Sequence, residues 1–212
     1  MVGPASTRRE PILSPIMNTC IMSHLRVSSA SSDGRKGNIE LDSHADSPVV
    51  GKGAMEVRDT GRRVLVGGFS DALGKPLRCR VIDALLAYDD EYSNETYLLM
   101  IRNAISVPEM DHHLLPPFMM RLAGISVDEC PKFLAKNPSA ENHSIYFPEL
   151  KLRIPLCLNG LFSCIPTREV RRDELEVLEE NQLELTPMVD EWNPYDGNWE
   201  NIEHEMLNYK GE

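Results

Sequence analysis

The chain has few cysteines and none in a working arrangement. Cys20, Cys79, Cys130, Cys157 and Cys164 are odd in number, widely spread and contain no CxxC pair. That pattern argues against a disulfide framework and a zinc knuckle, and leaves reduced thiols as the simpler reading. Long apolar runs are missing too. The stretch Ile12–Met22 is broken by Ser14-Pro15, Asn18 and Thr19, so it has no signal-peptide core, and nothing approaches the roughly 18 apolar residues of a membrane span. These absences predict an intracellular protein, cytoplasmic or nuclear, with no membrane partner. An excess of positive charge is also lacking. The net charge of -11 arises after residue 168, where fourteen acidic side chains face only Arg171, Arg172 and Lys210, while residues 1–168 are balanced. No face is dedicated to a polyanion, so direct nucleic-acid binding loses its electrostatic basis.

What is present fits one medium domain with flexible ends. The 212 residues are 42% hydrophobic and 26% charged, ordinary values for a chain that buries a core, and 15 prolines favour loops and short strands. Residues 1–37, rich in Ser, Pro, Gly and Arg, read as a disordered arm or linker. From residue 38 to 168 short β-like runs alternate with turn residues, the mark of an all-β sandwich or barrel. Strands are predicted at Met55–Arg58 and Arg63–Val66. The longest apolar runs, Leu77–Tyr88 and Thr96–Val107, predict a central hairpin across the polar link 89–95. Pro117 at its start and Gly124 beyond its end predict a short helix over Pro117–Ala123. Residues 125–142 read as irregular. Further hairpin is expected in His143–Phe147, Leu150–Leu158 and Leu161–Ile165, with an Asn159-Gly160 turn, and Pro155 should interrupt its strand or confine it to an edge. An acidic helix is plausible over Asp173–Asn181, within a tail (169–212) expected to be largely disordered or ordered only by a partner. There is no internal repeat.

The most specific stretch is Leu41-Asp42-Ser43-His44-Ala45-Asp46, a tight acidic turn between apolar residues. It resembles the active-site turn of retroviral-type aspartic proteases, apolar-apolar-Asp-Ser/Thr-Gly-Ala, with His44 in place of the glycine. Downstream, Val107-Pro108 and Asp111-His112-His113-Leu114-Leu115 lead into the segment around Met119–Gly124. Together these resemble the retropepsin-like protease region of Copia-type retrotransposon polyproteins, in a variant carrying Asp-Ser-His-Ala-Asp. The resemblance covers about residues 38–200. Integrase, reverse transcriptase and RNase H regions are absent, as expected of a polyprotein fragment or a stand-alone remnant.

The resemblance implies a mainly β, single-lobe acid-protease-like barrel with one short helix. It also implies an aspartic endopeptidase without cofactor that cleaves peptide or polyprotein substrates. No second Asp-Ser/Thr-Gly occurs in residues 52–212, so the active form would be a homodimer with one Asp42 per chain. Ser43 would join the two turns. His44, Ala45 and Asp46 would support the turn or meet the substrate, Leu114 and Leu115 would back it, and a hairpin around Gly67–Gly74 would cover the cleft. Two alternatives use the same residues differently. His44, Asp46, Asp111, His112 and His113 carry donors suited to a metal-dependent hydrolase. Otherwise the fold is an inactive remnant or a protein-interaction module.

Overall fold

The computed structural model describes residues 37–67, 76–196 and 198–206. Strand β1 (Gly37–Leu41) delivers the chain to the Asp42 turn, and β2 (Val49–Val50) leads it away. Three long strands follow, β3 (Met55–Val66), β4 (Leu77–Asp89) and β5 (Thr96–Ser106), paired antiparallel in sequence. The short strand β6 (His113–Leu115) then inserts between the two strands that flank the turn. It runs parallel to β1, with Leu41 opposite Leu115, and antiparallel to β2, with Val49 opposite Leu114.

After helix α1 (Pro117–Leu122) the chain forms a separate three-stranded sheet from β7 (Ser126–Asp128), β8 (Ser144–Phe147) and β9 (Leu152–Pro155). Strands β10 (Cys157–Asn159) and β11 (Phe162–Thr167) return to the main sheet, with β11 beside β1. Helix α2 (Glu174–Val177), strand β12 (Gln182–Glu184) and helix α3 (Asn198–Met206) complete the described chain. The main sheet has the order β10-β11-β1-β6-β2-β5-β4-β3, and β12 adds to β5 in parallel.

The fold is therefore mainly β. Among the described residues the sheet does not close into the expected barrel, because the end strands β10 and β3 do not pair, and β10 is only three residues long. Three α-helices stand where the resemblance implied one; α2 falls within the acidic helix expected over Asp173–Asn181. Met55–Arg58 and Arg63–Val66 merge into one strand, since the residues between them form a bulge. There Thr60 donates its hydroxyl to the Val81 carbonyl at 2.7 Å, and Gly61 takes the left-handed φ of 79°. Pro155 ends β9, the edge strand of the small sheet, as its missing donor requires. Within 125–142, read as irregular, Ser126–Asp128 forms β7 because it finds β8 as a partner. The 1–37 arm and the Gly67–Gly74 bend lie, apart from Gly37 and Gly67, outside the described residues.

The core lies between the two sheets. Ile39, Leu41, Leu99, Ile101, Leu115 and Ile165 from the main sheet meet Met120, Ile145, Ile154, Leu183 and Leu185. A second cluster, Val49, Val64, Val81, Ile105, Val107 and Leu114, packs the opposite face of β2, β5 and β6.

The acidic tail is the main departure from expectation. Val170, Leu183, Leu185 and Trp192 are buried, and several of its acids are neutralised by arginines from the β domain: Glu174 by Arg168, Glu184 by Arg102 and Glu191 by Arg62. The segment's net charge conceals a set of apolar anchors and partnered carboxylates. Arg168 holds the start of the tail, reaching Asp89 at 2.7 Å and Glu174 at 2.8 Å, and it keeps both carboxyls below their usual range. Arg168→Ala would leave the buried Glu174 with only the largely exposed Arg171. We expect a loss of about 2 kcal/mol by urea denaturation at neutral pH, a figure already reduced for the exposure of Asp89.

Candidate functional site

The turn after β1 is fixed at its entrance by the inserted strand. The Asp42 N–H donates to the Leu115 carbonyl at 3.2 Å, extending the β1–β6 ladder to the acid itself. Leu114 and Leu115 stand behind it, buried at 4% and 0% exposure. Inside the turn the His44 N–H donates to Asp42 Oδ1 at 2.9 Å, and the Ala45 N–H donates to the Asp42 carbonyl at 3.3 Å. These bonds set the rotation of the half-buried carboxylate. Its Oδ2 accepts no hydrogen bond from the described residues.

Ser43 and His44 form the exposed crown of the turn, with Ser43 Oγ 3.4 Å from His44 Nδ1. Asp42 bonds the backbone of His44 and not its ring, so the three consecutive residues do not build an Asp–His–Ser relay of the kind that activates a serine. Ala45 is buried beneath the crown. Asp46, half-buried, accepts the Tyr195 hydroxyl on Oδ2 at 3.0 Å, and its carbonyl accepts the Trp192 indole N–H at 2.8 Å.

Of the histidine pair, His113 opens β6 and serves the scaffold, while His112 precedes the strand. His113 is wholly buried, and its Nδ1 accepts the Gly51 N–H at 3.0 Å, so the ring is neutral with its proton on Nε2. Burial, with a smaller contribution from His112, pushes its pKa down to about 4. His112 Nε2 lies 3.9 Å from Glu40 Oε2, and Asp111 sits in solvent. The metal alternative drew on His44, Asp46, Asp111, His112 and His113. The structure does not bring them together: no group of three or more His, Cys, Asp or Glu among the described residues could hold an ion. His113 is buried against Gly51 whereas His112, half-buried, lies beside Glu40.

Three residues escaped the sequence reading. Glu40 is 1% exposed, two positions before Asp42 on the same side of β1, with Asn159 Nδ2 at 3.4 Å from its Oε1. Strand alternation put Glu40 and Asp42 on one face, and that was the available signal. Trp192 and Tyr195 gave a fainter one, aromatics isolated in a polar tail. Comparison with protein-family models, curated proteins and solved structures finds no match to this chain. Among the described residues no helix is long and apolar enough to cross a membrane.

What the turn offers is the Asp42 carboxylate, held by a backbone bond on one oxygen, beside an exposed hydroxyl and imidazole, while the turn's other acid, Asp46, is engaged by Tyr195. A single carboxylate cannot deprotonate a water and protonate a carbonyl oxygen in the same step. Acid–base hydrolysis at this site requires a second acid.

Proposed function

We propose that the chain is a retropepsin-like aspartic endopeptidase of Copia retrotransposon type, active as a homodimer that supplies the second acid by symmetry. The observation that carries this reading is the insertion of β6 between β1 and β2, which holds Asp42 by its own N–H at the mouth of a rigid turn. An aspartic site needs that rigidity, because two carboxylates must meet within about 3 Å and share one proton.

In the dimer the ionised Asp42 takes a proton from a water held between the pair, and the water oxygen attacks the peptide carbonyl carbon. The protonated Asp42 gives its proton to the carbonyl oxygen. The carboxyl that took the water's proton then gives it to the amide nitrogen while its partner takes a proton from a hydroxyl of the tetrahedral adduct, so that the C–N bond breaks, the carbonyl reforms and the pair is left singly protonated. Ser43, exposed at the crown, is available to bond the partner turn. His44 keeps its ring against Ser43, and its N–H performs the carboxylate-orienting task that a glycine N–H would perform.

The test is incubation of the full chain with a mixed pool of unstructured peptides at pH 5 to 6, with products read by mass spectrometry. Cleavage should fall by about 1000-fold or more in Asp42→Asn. Adding Asp42→Asn protein to the wild type should poison activity by forming mixed dimers. Cleavage that survives Asp42→Asn, or a chain that sediments only as an inactive monomer, would sink the proposal.

A further inference from the structure

The turn is clamped at its exit as well as at its entrance, and the second clamp comes from the acidic C-terminal segment. From β12 the chain runs along β5. Thr186 Oγ1 accepts the Arg102 N–H at 2.8 Å, and the Asn103 side-chain amide donates to the Val189 carbonyl at 2.9 Å. Arg62 of β3 then donates to the Trp192 carbonyl at 3.3 Å and to Asn103 Oδ1 at 3.2 Å. Trp192 is buried at 5% exposure, with Phe118 of α1 and Trp199 of α3 around its ring. The segment ends on the turn itself, where Trp192 and Tyr195 both bond Asp46.

This path ties β3, through Arg62, to the exit of the turn at Asp46, four residues beyond Asp42. An indole N–H on a backbone carbonyl, seated in an aromatic cluster, fixes that carbonyl without adding charge near the acid. Tyr195 is 60% exposed, and its hydroxyl donates to Asp46 Oδ2.

We propose that Trp192 and Tyr195 are positioning residues that lock the exit of the Asp42 turn, which makes segment 182–196 part of the catalytic domain. The word catalytic rests on the peptidase reading; the clamp itself does not. Hydrogen–deuterium exchange of the full chain tests the clamp without reference to activity. Trp192→Phe keeps an aromatic ring and removes the donor, and Tyr195→Phe removes only the hydroxyl.

Each variant should speed amide exchange across residues 43–50 by about tenfold or more, the loss of one hydrogen bond to Asp46, while β4 and β5 keep their protection. In the cleavage assay kcat per folded molecule should fall about tenfold with KM unchanged, an effect that loss of global stability alone does not produce. Unchanged exchange in residues 43–50 in both variants overturns the clamp. Faster exchange in a protein that never cleaves peptide upholds the clamp and removes the peptidase reading instead.

Discussion

Gly51→Ala is expected to unfold the chain or leave it barely folded. Gly51 directly follows β2, where the strand leaving the Asp42 turn passes under the connection into β6. A Cβ placed on it would collide with the carbonyl oxygens of Met110 and His112. Both obstacles are backbone, so no side chain can rotate aside. The same residue donates its N–H to His113, and Lys52 beside it donates to the Met110 carbonyl at 2.7 Å. Relief of the clash must separate these strands, breaking both bonds and exposing the buried ring. We expect a loss of about 4 kcal/mol or more, at the upper end for a single substitution, seen as a collapse of the thermal unfolding midpoint. The control is Gly53→Ala. Gly53 has a φ of 86° and meets only the flexible Glu169 side chain, so strain of about 1 kcal/mol is expected there. Equal effects at the two positions would mean that backbone crowding at Gly51 is not what the sheet depends on.

Gly51 also marks the limit of what the sequence makes legible. The hairpin of β4 and β5, the helix after Pro116-Pro117 and the Asn159-Gly160 turn are local events, encoded by periodicity and by residues with special backbone geometry. The same holds for the acid in its turn, because Leu41-Asp42-Ser43 carries its own pattern. Contacts across long sequence separation are different. That His113 serves Gly51 depends on β6 inserting between β1 and β2, that Glu40 meets Asn159 on β11 and β10 returning beside β1, and that Trp192 reaches Asp46 on the segment that follows β12 along β5, and no local pattern states these pairings. The tail misleads for a second reason. Its composition averages fourteen acids over the whole segment, whereas its order comes from Leu183, Leu185 and Trp192 and from three arginines placed elsewhere. Composition sums charge and does not see partners.

The buried imidazole leads to the second large effect, a loss of stability in the acid range where the proposed chemistry would run. In the folded chain His113 stays neutral down to about pH 4, while in the unfolded chain it titrates near 6.5. Above pH 6.5 the ring is neutral in both states and contributes no pH dependence. As pH falls below 6.5 the unfolded chain takes up a proton that the folded chain refuses, so stability drops until about pH 4, where both are protonated. A separation of about 2.5 pH units amounts to about 3 kcal/mol. Asp89 and Glu174 act in the same direction but lower. Arg168 holds both below the carboxylate range, so their contribution is present above that range and is lost as pH falls through it.

Urea denaturation at pH 7, 5.5 and 4 should therefore show a slope in the wild type that is clearly reduced in His113→Asn, whose amide oxygen can accept the Gly51 N–H without titrating; the remainder belongs to His143, whose pKa burial also lowers, and to the carboxylates. A slope undiminished in His113→Asn would assign the effect to other groups. For a peptidase that needs one proton shared between two Asp42 carboxylates, the acid limb of activity would then report the scaffold before it reports the dyad. His113→Asn should move that limb to lower pH and leave the neutral limb in place.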